Sequence, residues 1–295
     1  GATVEVPITV RNVANDPAMS FRNDIEPALM RAGCNTGACH GAASGKNGFK
    51  LSLFGFDPSM DYANLTRETL GRRLNAASPD ESLMLLKPSG GVEHEGGTRI
   101  HKDDFLYTML RRWIADGAQS DGGDLPTLTG LEVLPASGVL EGEGAKQRLI
   151  VVAKYSDGTD RDVTSLAVLA PQDPTIVAVD ENGVATAGSR GEAYVMARFG
   201  TFAVVAQFIV LPASATFQWP EDATPKNYVD DLVYAKLKKL RVPPAERCSD
   251  DVFLRRATID VLGMLPTVEE SRAFLADTSP DKREKLVDRL LERQE

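Results

Sequence analysis

Hydrophobic positions along the chain change their period twice, and each change marks a boundary. Between residues 20 and 122 they recur every three to four residues, the spacing of an amphipathic helix. Phe21, Ile25, Leu29 and Met30 form one such face behind a polar start at 20–24, which predicts a helix that stops at Gly33. Phe105, Met109 and Trp113 form a second row with Leu106, Leu110 and Ile114 beside it. Asp103 and Asp104 suit the first turn of that helix, and Gly117 suits its end. Two helices therefore bracket a Gly-rich, loop-rich middle.

From about residue 128 to residue 211 the texture becomes that of strands. Residues 149–153, 176–179, 193–197 and 203–206 are strand-length apolar runs, separated by the turn formers Ser156-Asp157-Gly158, Glu181-Asn182-Gly183 and Gly188. Several short strands of this kind predict an all-β sandwich, and nothing in it has a catalytic pattern. After a Pro-containing linker at 213–225 the helical period returns at Tyr228, Leu232, Ala235 and Leu240. Ser249-Asp250-Asp251 predicts a helix start, and a last helix runs from Ser279-Pro280 through Leu286, Leu290 and Leu291. The expected organisation is multidomain: a tail at 1–19, an all-α domain at 20–122, an all-β domain at 127–212, the linker, and a mostly helical segment at 226–295. The tail reads as the last strand of an upstream domain. The last helix, stopping uncapped at Glu295, leads us to expect a piece of a longer protein.

Composition narrows the function classes. The 295 residues carry a net charge of −9 with no basic stripe, which is the wrong sign for a nucleic-acid surface. The longest apolar run, residues 203–211, is too short for a membrane span and is interrupted by Gln207. The chain has three cysteines and three histidines, and all three histidines, His40, His94 and His101, lie in the same third as the pair Cys34 and Cys39. The run Gly41-Ala42-Ala43-Ser44-Gly45-Lys46-Asn47 lacks the spacing and the Ser or Thr of a phosphate-binding loop. Cys248, far from the pair, reads as a partly buried free thiol.

A histidine directly after the second of two spaced cysteines is the pattern of covalent haem attachment, in which two thiols anchor the porphyrin edge and the imidazole reaches the iron. Here four residues, Asn35-Thr36-Gly37-Ala38, stand between the cysteines instead of the usual two, and their small size lets them bulge out. Two other readings stay open: a Cys34–Cys39 disulfide, and a zinc site from Cys34, Cys39, His40 and His94. For the far side of an iron the candidates are Met84, His94 and His101. His94 lies in a Gly-flanked loop without an apolar pattern, which favours a ligand role over packing.

Residues 33–42, 44–53, 82–88 and 110–118 resemble the cytochrome c domains of large secreted planctomycete and verrucomicrobial proteins. The resemblance implies a cytochrome c-like fold at 20–122 with one covalent haem c. Cys34 and Cys39 would be its thioether anchors and His40 the proximal ligand, with His94 in the distal place that a methionine holds in relatives. Arg72, Arg73 and Arg99 are candidates for the propionates. It implies electron transfer in the periplasm or outside the cell, with an unidentified redox partner protein. Residues 128–211 resemble a bacterial Ig-like group 2 domain through Tyr155-Ser156-Asp157-Gly158-Thr159 and Asp162-Val163-Thr164. Residues 226–295 resemble the opening of a helical domain of unknown function, with which further C-terminal domains would be in contact. The alternatives are a haem relay within a larger oxidoreductase of polysaccharide metabolism, and a haem-free adhesion module stabilised by zinc or a disulfide.

Overall fold

A computed structural model describes residues 7, 9–10, 18–123, 125–213 and 217–293. Most of the expected strand at 4–10 therefore lies outside the described residues. The chain divides into two units, Gly1–Ala215 and Thr216–Glu295.

The first unit begins with the predicted helix, which is broken into two geometries. Phe21–Ile25 is a π-helical turn and Glu26–Arg31 is α1. Pro27 explains the change. It has no N–H to continue the ladder, and the Glu26 N–H donates five residues back to the Phe21 carbonyl. After a long loop come a short 3₁₀ turn at Leu53–Gly55, α2 at Pro58–Thr66 and α3 at Leu83–Leu86. Asp57 caps α2 by accepting from the Met60 N–H at 3.0 Å. α4 spans Phe105–Ala115 and buries Met109, Leu110, Trp113 and Ile114 as the pattern predicts. Phe105, the first residue of the row, is exposed, since only the later turns reach the core.

Trp113 is the centre of this core. Its ring lies 5.5 Å from Phe21, which meets Tyr62 edge-on at 5.2 Å. The polar tips find backbone partners: Trp113 Nε1 donates to the Gln119 carbonyl at 3.1 Å and the Tyr62 hydroxyl to that of Ala118 at 2.9 Å. The turn after α4 is thereby tied to α4 itself and to α2.

The middle of the chain is β-rich, with ten strands in three sheets. β1 (Leu128–Leu134), β4 (Ile150–Tyr155) and β5 (Asp160–Asp162) form one sheet. β2 (Ser137–Glu141), β10 (Phe202–Leu211), β9 (Gly191–Phe199) and β6 (Val168–Pro171) form the second, in that order. β3 (Lys146–Arg148), β8 (Val184–Ala187) and β7 (Val177–Val179) form the third. Alternate residues of β9, Ala193, Val195, Ala197 and Phe199, are buried, as one inward face requires. The predicted turn at 155–159 joins β4 to β5. Gly158 takes φ 80° there, and Asp157 accepts from both the N–H and the hydroxyl of Thr159. β2 and β10 pair in parallel, from Ser137 opposite Gln207 to Glu141 opposite Leu211. The β-rich region meets the helical part through Arg161 and Asp24 at 2.6 Å and through Arg198 over the Phe54 ring at 4.8 Å.

The second unit is helical: α5 (Tyr228–Lys239), α6 (Asp250–Leu262), α7 (Val268–Ala276) and α8 (Lys282–Leu291). Leu254, Phe274, Leu286 and Leu290 are its buried cluster. Ser249 occupies the N-cap of α6 as expected, but α8 starts three residues after Ser279, whose N–H and hydroxyl are bound by Asp277. The Cys248 carbonyl accepts from Arg283 at 2.8 Å. Replacing Trp113 by Ala should cost about 3–5 kcal/mol by leaving a cavity at the core of the helical part. A urea titration followed by near-UV circular dichroism measures it.

Candidate functional site

The site is built outward from the end of α1. Gly33 takes φ 78°, its N–H donates to the Met30 carbonyl, and the Cys34 N–H donates to that of Leu29. These two bonds form a Schellman stop, which satisfies the last carbonyls of the helix and turns the chain sharply. The four residues between the cysteines are then wound into a compact turn. Cys39 N–H donates to the Thr36 carbonyl, and His40 N–H donates back to that of Cys34 at 2.9 Å. Gly41 is required at the exit, because a Cβ there would lie 2.1 Å from the Asn35 carbonyl oxygen.

A reverse turn fixes His40. Asn47 and Gly48 both have positive φ, Lys46 and Phe49 exchange backbone hydrogen bonds across them, and the Phe49 carbonyl lies 3.1 Å from His40 Nδ1. An Asn-Gly pair of this kind is a turn legible in sequence, although nothing there says it will reach a histidine. The Gly97 carbonyl holds His94 Nδ1 in the same way at 2.8 Å. With Nδ1 carrying the proton toward a carbonyl, Nε2 of each neutral ring keeps its lone pair. Burial lowers the His40 pKa, opposed by the bond to Phe49. The two imidazoles are nearly parallel, 14° between planes and 6.3 Å between centroids.

Both rings line a cavity of about 1030 Å³ that also receives Cys34, Cys39, Met84 and Arg99. Met84 is buried as part of the core. Arg99 points Nη2 at Cys39 Sγ from 3.8 Å. Burial pushes the Cys34 thiol up to about 12, the neighbouring Cys39 adding to it. Arg72 lies on the wall. Arg73 also borders the cavity but is committed elsewhere: its guanidinium donates to the carbonyls of Asn64, Glu68 and Gly48 and stacks over Phe49 at 4.5 Å. His101 is exposed and away from the cavity wall, and its N–H donates to Asp104 at the start of α4. The structure thus gathers all the sequence candidates except His101, and adds Phe49 and Gly97 as the groups that orient the rings.

One family model and several solved structures are similar to parts of the chain. Residues 228–295 match the family PSCyt2, described as a protein of unknown function (DUF1549). No curated protein matches the chain. Similar solved structures include domains 1–6 of the surface-layer protein SbsC, with 15% identity and TM-score 0.26 over 31% of this chain and 14% of that one. Domains 4 and 5 of the same protein show 16% identity and TM-score 0.26 over 30% of this chain and 54% of that one. The likeness is too slight to carry an argument about function.

The expectation of a c-type cytochrome with bis-histidine haem iron and an electron-transfer function is corrected on these findings. The family matched is one of unknown function, and it lies in the second unit. Among the described residues, no group of three or more His, Cys, Asp and Glu side chains is arranged to hold a metal ion. An ion held by protein side chains alone therefore finds no ligand set among them. The same finding sets aside the zinc site of Cys34, Cys39, His40 and His94. What the arrangement offers is a walled cavity beside a thiol pair. In the reduced chain, Cys34 should react with iodoacetamide at about pH 8 roughly a thousandfold more slowly than an exposed cysteine, since so little of it is thiolate. Peptide mass spectrometry after timed alkylation measures this.

Proposed function

We propose that this chain is a recognition and adhesion segment of an exported multidomain protein. In this reading the β-rich region is an Ig-like sandwich acting as a spacer and contact surface. The helical part at 20–122 carries a small-ligand cavity, and the Cys34–Cys39 loop is stabilised by a disulfide. The observation that carries the reading is the cavity of about 1030 Å³, which opens against the loop holding both thiols. A pocket of this size, with Leu29, Leu83 and Val92 on its walls and Arg72 and Arg99 beside them, suits a mainly apolar ligand bearing an acidic group. Export supports the disulfide, because thiols so close in the chain persist as a cross-link only in an oxidising compartment. Oxidation removes one hydrogen from each thiol to an exchange partner that is itself reduced.

The intact mass and thiol content of the exported chain test the proposal. The expected product is lighter than the reduced chain by two hydrogens, with Cys248 as its one free thiol. A covalent adduct on the peptide spanning 33–41, a thioether-linked haem included, or three free thiols in the exported protein would overturn it.

A further inference from the structure

A second cleft, of about 440 Å³, lies where α2 meets the π-helical turn and the segment after α4. Ser59, Ala63 and Arg67, spaced four residues apart along α2 and its C-cap, share one face of that helix and line the cleft. The small side chains at 59 and 63 leave room along this row, and the Arg67 guanidinium lies over the Tyr62 ring at 5.8 Å. Phe21 and Arg22 of the turn, with Ser120 and Asp121, supply more of the wall. These walls are fixed by the chain itself. The Phe21 and Arg22 N–H groups donate to the two oxygens of Asp121 at 2.8 and 2.9 Å, and the Tyr62 hydroxyl is held by the Ala118 carbonyl.

The cleft is rich in unused donors. The chain carries a net charge of −9, and other arginines of the helical part find carboxylates, Arg111 with Asp80 and Arg112 with Asp116. Arg22 and Arg67 pair with no carboxylate among the described residues, and the hydroxyls of Ser59 and Ser120 engage no protein partner there either. The carboxylate of Asp121 has both oxygens turned to backbone N–H groups, so it competes little for the guanidiniums. Two guanidiniums and two hydroxyls call for a ligand that brings acceptors, an oxyanion for the forked donors and hydroxyl groups for the serines. Phe21 is almost wholly buried, which leaves little apolar wall beyond Pro58, Ala63 and part of Tyr62. The volume suits a sugar ring better than a bare ion or a large apolar body.

We propose that this cleft binds an acidic monosaccharide unit, its carboxylate held by Arg22 and Arg67 and its hydroxyl groups meeting Ser59 and Ser120. Walls already tied by Asp121 and Tyr62 lower the ordering that binding costs. The cleft shares no lining residue with the larger cavity beside the cysteines, so the proposal stands whatever that cavity binds.

Titration of the full chain with D-glucuronate, followed through amide NMR shifts, tests it. The signals of Ser59, Ala63, Arg67, Ser120 and Asp121 should move together and saturate. D-glucose, which lacks the carboxylate, and acetate, which lacks the ring, should bind at least about tenfold more weakly. Arg22→Gln and Arg67→Gln should each weaken glucuronate binding about tenfold, with signals away from the cleft showing that both variants stay folded. Arg72→Gln and Arg99→Gln, at the larger cavity, should leave it unchanged. No saturable shift at the cleft amides, glucose or acetate binding as tightly as glucuronate, undiminished binding in either cleft variant, or a loss caused by Arg72→Gln or Arg99→Gln would overturn the proposal.

Discussion

The helical part of the first unit depends on how α1 stops. Its last carbonyls are satisfied by the N–H groups of Gly33 and Cys34, so the chain leaves the helix already folded back on itself. That reversal places one thiol at the cavity wall and tucks Asn35 into the interior. It also lets the His40 N–H return to the Cys34 carbonyl, and through His40 the loop is passed on to Leu51 and the Asn47-Gly48 turn. A different helix end would move the thiols and the first imidazole together.

Much of this architecture is legible in sequence because it is local. The helical faces at 21–30 and 105–114, the Gly33 stop and the turn at Ser156-Asp157-Gly158 each rest on contacts a few residues apart. What escaped is what one residue or one distant partner decides. Pro27 converts the first turn from α to π geometry, and Phe105 drops out of the buried row because the core does not extend that far. The parallel pairing of β2 with β10 joins segments some seventy residues apart and leaves no local trace. The Cys-Cys-His run placed its residues at one cavity, yet spacing alone could not fix what they do there. Arg73 shows the same limit from the other side. Its guanidinium is engaged by three backbone carbonyls and a ring, a commitment no sequence pattern announces.

The two units rest on different physics. The first has a continuous buried core that includes Trp113 and the inward face of β9. The second relies on a cluster around Leu254, Phe274, Leu286 and Leu290, helped by local electrostatics. There Asp250 is paired with Lys282 and Arg283, and Thr267 and Glu270 form a reciprocal capping box at the start of α7. The family match falls in this unit, which leaves Tyr228, Leu232 and Leu265 exposed.

The parallel pairing of β2 and β10 has a mechanical meaning. β2 lies near the entry of the chain into the β-rich region and β10 at its exit, with five residue pairs in register between them. Once β1 has parted from β4, tension along the polypeptide pulls the N-terminal end of β2 and the C-terminal end of β10 in opposite directions, so it acts along the strands and loads all the bonds between them at once. A hairpin pulled from its open end would instead lose its bonds singly, in sequence. Shear of this kind resists force far better than unzipping, and it is built into the strand order before any side chain is considered.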